Sequence, residues 1–136
     1  MAAQAPPAEV AELASRANLT GPVVKWCTGE FRTGQSGAFA VALSPSADSG
    51  RYLILEADAT VTDLAKYAGG ADLSCYSRAD AEALSAAIGE SETVHGRITP
   101  RLDTTVVCGF VTNTEAVCWQ YSPSERAFVR IGGWIT

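Results

Sequence analysis

The sequence predicts an α+β fold: a mainly antiparallel sheet of about six to eight strands with an N-terminal helix and two middle helices. Three observations lead there. Short runs rich in Val, Ile, Leu and aromatics recur along most of the 136 residues, separated by Gly/Ser/Pro clusters. Stretches with helical apolar spacing interrupt them only at the start and in the middle. The length and an apolar fraction of 47% suit one self-sufficient core, residues 1–136, with residues 1–5 as a disordered tail.

The first element is the helix in "PPAEVAELASRANLTG". Pro6 and Pro7 suit a helix start, Val10, Leu13, Ala14 and Ala17 share one face, and Asn18 and Gly21 supply stop signals. Its apolar stripe is thin, so it should pack on a larger body rather than build the core. "PVVKWCTGEF", "GAFAVALS" and "GRYLILEA" come next as three strands, parted by the turn clusters "RTGQSG" and "SPSADSG". A second helix is expected over residues 60–69, where Thr60 and Asp63 approximate a capping box, Val61, Leu64, Ala65 and Ala68 form a stripe, and Gly69-Gly70 is a stop.

"ADLSCYS" reads as a buried strand, and Ser77 with Asp80 three residues on opens a third helix carrying Ala83, Leu84, Ala87 and Ile88 up to Gly89. The strand–helix alternation over residues 50–89 predicts a parallel strand pair. The remainder is β: "TVHGRITP", "TTVVCGFVT", "EAVCWQYS" and "RAFVRIGGWI".

Cys27, Cys75, Cys108 and Cys118 are the chain's four cysteines, an even set that an oxidising compartment would close into two bridges. Turn length decides the pairing. A three-residue loop at Thr112–Thr114 places Cys108 opposite Cys118, whereas a two-residue loop at Asn113-Thr114 places Cys108 opposite Trp119 and turns the two cysteines to opposite faces. The three-residue loop is expected, giving Cys108–Cys118 and Cys27–Cys75. The small residues and prolines of "MAAQAPPAEV" resemble the start of a mature chain just after signal-peptide cleavage. Together with the cysteines they predict a periplasmic or extracellular protein.

Composition and spacing narrow the chemistry. A net charge of −5 argues against general nucleic-acid binding, which needs clustered Lys and Arg. No apolar run approaches a transmembrane length. Zinc sites pair ligands two to four residues apart, but these cysteines are widely spaced and His95 is the sole histidine, so no metal is expected. No glycine cluster matches a phosphate loop or dinucleotide fingerprint, and no cofactor is implied. Glu30, Glu56, Asp58, Glu92 and Asp103 are available acids, with nothing to mark two of them as a catalytic pair.

The expected function is therefore a small, exported, non-enzymatic domain that binds a protein or other macromolecule. The candidate surface is Tyr121, Arg126, Phe128 and Arg130: alternation puts Arg126, Phe128 and Arg130 on one side of their strand, and Arg and aromatics are enriched at binding hot spots. Trp119, on one face with Val117 and Tyr121, is expected in the core. Two other readings remain: a hydrolase or transferase using His95 with Ser91, Glu92 or Cys75, and a small-ligand carrier with a pocket between the sheet and the middle helices.

Overall fold

The computed structural model describes residues 7–32, 37–46, 49–77, 80, 82–84, 86, 93–95 and 104–135. The expected tail lies outside them. Helix α1 spans Ala8–Arg16 directly after Pro7, buries Val10 and Leu13, and ends where Asn18 turns to φ 56° and Gly21 to φ 91°. These are left-handed positions that Asn and Gly occupy at low cost, so both stop signals act as expected.

The strands form two antiparallel sheets. The first has β1 (Val23–Gly29), β2 (Ala38–Ser46), β3 (Ser49–Leu55) and β4 (Val61–Ala68) in sequential order. The second comprises β5 (Leu73–Tyr76), β6 (Thr93–His95), β7 (Val106–Phe110), β8 (Glu115–Ser122) and β9 (Ala127–Ile135), in the order β5-β7-β8-β9-β6. Period-two alternation gives each sheet two apolar faces. In the first sheet, Phe39, Val41, Leu43, Leu53 and Leu55 point outward to α1, and Ala40, Ala42, Tyr52 and Ile54 point inward.

The inward set meets Leu73, Val107, Val117 and Trp119 of the second sheet in the central core. On that sheet's far side, Val106, Cys108, Ala116, Cys118 and Trp134 pack with Leu84 of a helical segment. The layers run helix, sheet, sheet, helical segment, and the fold is mostly β with minor helices.

The helix expected over 60–69 is β4. A bulge explains the misleading spacing: Tyr52 pairs with Ala65 but Leu53 with Asp63, which leaves Leu64 as an extra residue. That insertion resets the alternation, so apolar side chains fall three and four apart, as they would on a helix. Thr60 belongs to the β3–β4 turn, where its N–H donates to Asp58 Oδ1 at 3.0 Å and Ala59 adopts φ 68°. Among the described residues the expected parallel pair does not form, for the same reason: β3 and β4 form an antiparallel hairpin and β5 pairs antiparallel with β7.

The "SPSADSG" cluster is also shorter as a loop than it reads, because Ser46 pairs with Ser49. At the third helix, the Asp80 carboxylate accepts from the Ser77 N–H at 3.0 Å and hydroxyl at 2.9 Å, and residues 82–84 and 86 are helical. Ala87, Ile88 and Gly89 lie outside the described residues.

Both disulfides form in the expected pairing. In the β7–β8 hairpin Val111 N–H donates to Glu115 O at 2.9 Å, and the Thr112 hydroxyl accepts from the N–H groups of Thr114 and Glu115. The three-residue loop thus places Cys108 opposite Cys118 with Cα atoms 4.1 Å apart, the narrow spacing of a non-hydrogen-bonded pair. Replacing both with Ala is expected to lower the unfolding free energy by about 2 to 3 kcal/mol, the loop-closure contribution of so short a clip. Urea denaturation followed by tryptophan fluorescence measures it.

Candidate functional site: a cation–aromatic rim

Tyr121 and Phe128 are cross-strand partners on β8 and β9, and Trp119 faces Arg130 one pair further along the same side. That side is the inner face of the second sheet. Trp119 is buried there, 6% exposed, as expected, whereas Tyr121 and Phe128 are half-buried where the sandwich opens to solvent. Their rings meet edge to face at 5.4 Å, and Phe128 also meets the buried Phe31 at 6.4 Å.

Arg32 completes the cluster from the first sheet's side. Its guanidinium lies 4.5 Å from the centroid of the Tyr121 ring and 5.9 Å from that of Phe128. Its buried Nε lies 2.9 Å from Glu56 Oε1 as an ion pair without the alignment of a hydrogen bond, the two side chains being 30% and 15% exposed. Arg32 lies just beyond β1 and Glu56 just beyond β3, so strand ends from both sheets converge on one rim. The segment before Arg32 is anchored to the start of β7: Thr105 N–H donates to Glu30 O at 2.8 Å, and Glu30 N–H donates to Thr105 Oγ1 at 3.1 Å. Gly29 lets the Thr105 side chain lie where a Cβ would stand.

The sequence-predicted surface is thus brought together in part. Tyr121, Phe128 and Arg130 share a face. Arg126 does not belong to the strand: it is exposed, at φ 53°, in the turn before Ala127. A second bulge, at Ile131, separates the Cys118–Gly132 and Trp119–Arg130 pairs. Arg32 and Glu56 were not expected on this surface, Glu56 having been noted only as one of several available acids. Arg32 stands in a Gly-rich turn cluster, and no local pattern marks either residue, because only the packing of the two sheets joins them.

The other readings fare unequally. Cys75 is bonded to Cys27 and has no thiol to serve as a nucleophile, which removes it from the hydrolase or transferase reading. The backbone of His95 pairs with Gly133 at the sheet edge, and Ser91 and Glu92 lie outside the described residues. The first of the two middle helices that should bound a ligand pocket is β4. A hollow lined in part by Cys108, Phe110 and Trp134, beside the remaining helical segment's core, measures about 20 Å³, room for one water, while open grooves of about 370 Å³ over Arg51 and residues 63–66 and about 320 Å³ beside Asp72 and Asn113 lie on the surface. Among the described residues no cluster of three or more His, Cys, Asp or Glu is placed to hold a metal, and no helix is long and apolar enough to cross a membrane.

These features define a mostly β, two-sheet domain stapled by two disulfides. Comparison with protein families, characterised proteins and solved structures finds no match to this chain.

Proposed function

We propose that the protein is a non-enzymatic, exported interaction domain that binds a protein partner through the rim formed by Arg32, Tyr121, Phe128 and Arg130. The observation that carries this is the Arg32 guanidinium, stacked against Tyr121 and tethered by Glu56 at the solvent boundary. A guanidinium over an aromatic face is favourable by about 0.5–1 kcal/mol when exposed and by more when a partner excludes water. Its orientation is set before any partner arrives, which lowers the entropy lost on binding. Tyr and Arg are the residue types that dominate interface hot spots. The two disulfides support export, since such bonds persist in oxidising compartments.

Placing a photo-crosslinking residue at Phe128 should identify the partner, with the same residue at exposed Glu12 on α1 as the control. Tyr121→Ala and Arg130→Ala are then each expected to weaken its binding by about 30-fold, the scale of a hot-spot truncation. Arg51→Ala, near the opposite end of β3 from Glu56, should leave binding unchanged. Affinity indifferent to both rim substitutions rejects this surface.

A further inference from the structure

The two disulfides occupy different kinds of place. Cys108 and Cys118 are 4% and 0% exposed and join neighbouring strands within one sheet, beneath the helical segment. Cys27 and Cys75 are both half-buried and join the edge strand of one sheet, β1, to the edge strand of the other, β5. These two edges run side by side, yet no strand ladder pairs them. Besides the disulfide, the described side-chain ties along the seam are the exposed Lys25–Asp72 ion pair at 3.9 Å and the Tyr52 hydroxyl, which accepts from the Asp72 N–H at 3.1 Å.

Elsewhere the sheets are held by hydrogen bonds that do not depend on this bridge. Ala68 N–H donates to Val111 O at 2.9 Å, the Tyr52 hydroxyl donates to Phe110 O at 2.7 Å, and Glu30 exchanges bonds with Thr105. One seam is therefore closed by a covalent bond near the surface, and the other attachments can act as a hinge.

The geometry points to Cys27–Cys75 as a reducible lock on the seam between the sheets, opened by an external dithiol while the fold and the Cys108–Cys118 clip persist. The reductant's thiolate attacks Sγ of Cys27 or Cys75, forms a mixed disulfide and releases the other sulfur as a thiolate. The reductant's second thiol then displaces the remaining protein sulfur. Two electrons pass to the protein, the dithiol leaves as a disulfide, and Cys27 and Cys75 each end as a thiol. Access sets the order of reduction: the seam bond is reached from the folded state, whereas the clip must wait for local opening of the hairpin and its cover. Once parted, the seam uncovers apolar residues of the inner face, among them Val24 and Ala71.

The test uses the full chain in native buffer with dithiothreitol as the probe. Samples are quenched with iodoacetamide over time, and alkylated sites are mapped by mass spectrometry with amide hydrogen exchange in parallel. The expected result is an intermediate alkylated at Cys27 and Cys75 with Cys108–Cys118 intact, forming at least about tenfold faster than reduction of the clip. In that intermediate, amide exchange should accelerate at least about tenfold in β1 and β5 and stay within about twofold in β8. Simultaneous loss of both bonds, reduction of the clip first, or unchanged exchange along the seam overturns the proposal.

Discussion

Replacing Cys27 and Cys75 together by Ala is expected to lower the unfolding free energy by about 4 kcal/mol. The two residues are 48 apart in sequence, so the bridge removes far more freedom from the unfolded chain than the ten-residue separation of Cys108 and Cys118. A domain of this kind is stable by only about 5–15 kcal/mol in total, so the variant should unfold at markedly lower urea concentration, and it should do so without losing the β7–β8 register. Equilibrium urea unfolding of the double variant beside the wild type measures the difference. A loss below about 1 kcal/mol would mean that the unfolded chain is already compact along this span, or that the seam holds itself by packing.

Tyr52→Phe is expected to cost about 2 to 4 kcal/mol, because one hydroxyl satisfies two backbone groups that it alone bridges between the sheets. The Tyr52 hydroxyl donates to Phe110 O at 2.7 Å and accepts from the Asp72 N–H at 3.1 Å. Its ring is fully buried, stacked on Tyr67 at 4.5 Å, and lies against Gly109, where a Cβ would approach it to 2.8 Å. Phe keeps the stacking and removes the bridge, which leaves a donor and an acceptor without their partner.

The same substitution carries a pH signature. Burial, the main cause, pushes the Tyr52 hydroxyl up to about 12 from an ordinary value of 10.0. Below pH 10 the group is protonated in both folded and unfolded chains. As pH rises from 10 to 12 the unfolded chain releases this proton while the folded one retains it, so stability falls through that window. The penalty for Tyr52→Phe should therefore be full at pH 9 and shrink as pH approaches 12. Burial also raises Tyr67, which both proteins retain, so the difference between them isolates Tyr52. A penalty independent of pH across that window would contradict a buried, protonated bridge.

Several elements were legible because their determinants are local. The start and stop of α1, the Ser77–Asp80 cap and the strand bounds of "EAVCWQYS" depend on residues within one or two turns of each other. Cysteine register depended on loop length alone. The rim was legible by half. Strand alternation placed Phe128 and Arg130 on one side of their strand, but it could not show that Tyr121 pairs onto that side, that the side is the inner face of a sandwich, or that Arg126 leaves the strand at a left-handed turn.

What the sequence determined by itself was therefore the inventory: a disulfide-stapled, strand-rich chain whose alternating apolar residues and short turns commit most segments to antiparallel hairpins. How those hairpins divide and meet is fixed by packing between distant segments. Residues 61–68 carry a spacing that fits a helix or a bulged strand equally well, and pairing with β3 selects the strand, because there Tyr67 can bury its ring against Tyr52 and donate its hydroxyl to Leu43 O at 3.1 Å. The Arg32–Glu56–Tyr121 cluster likewise has no local cause. It exists because two sheets stack with their strand ends in line, and contacts between residues so far apart in sequence leave no periodic trace in either segment.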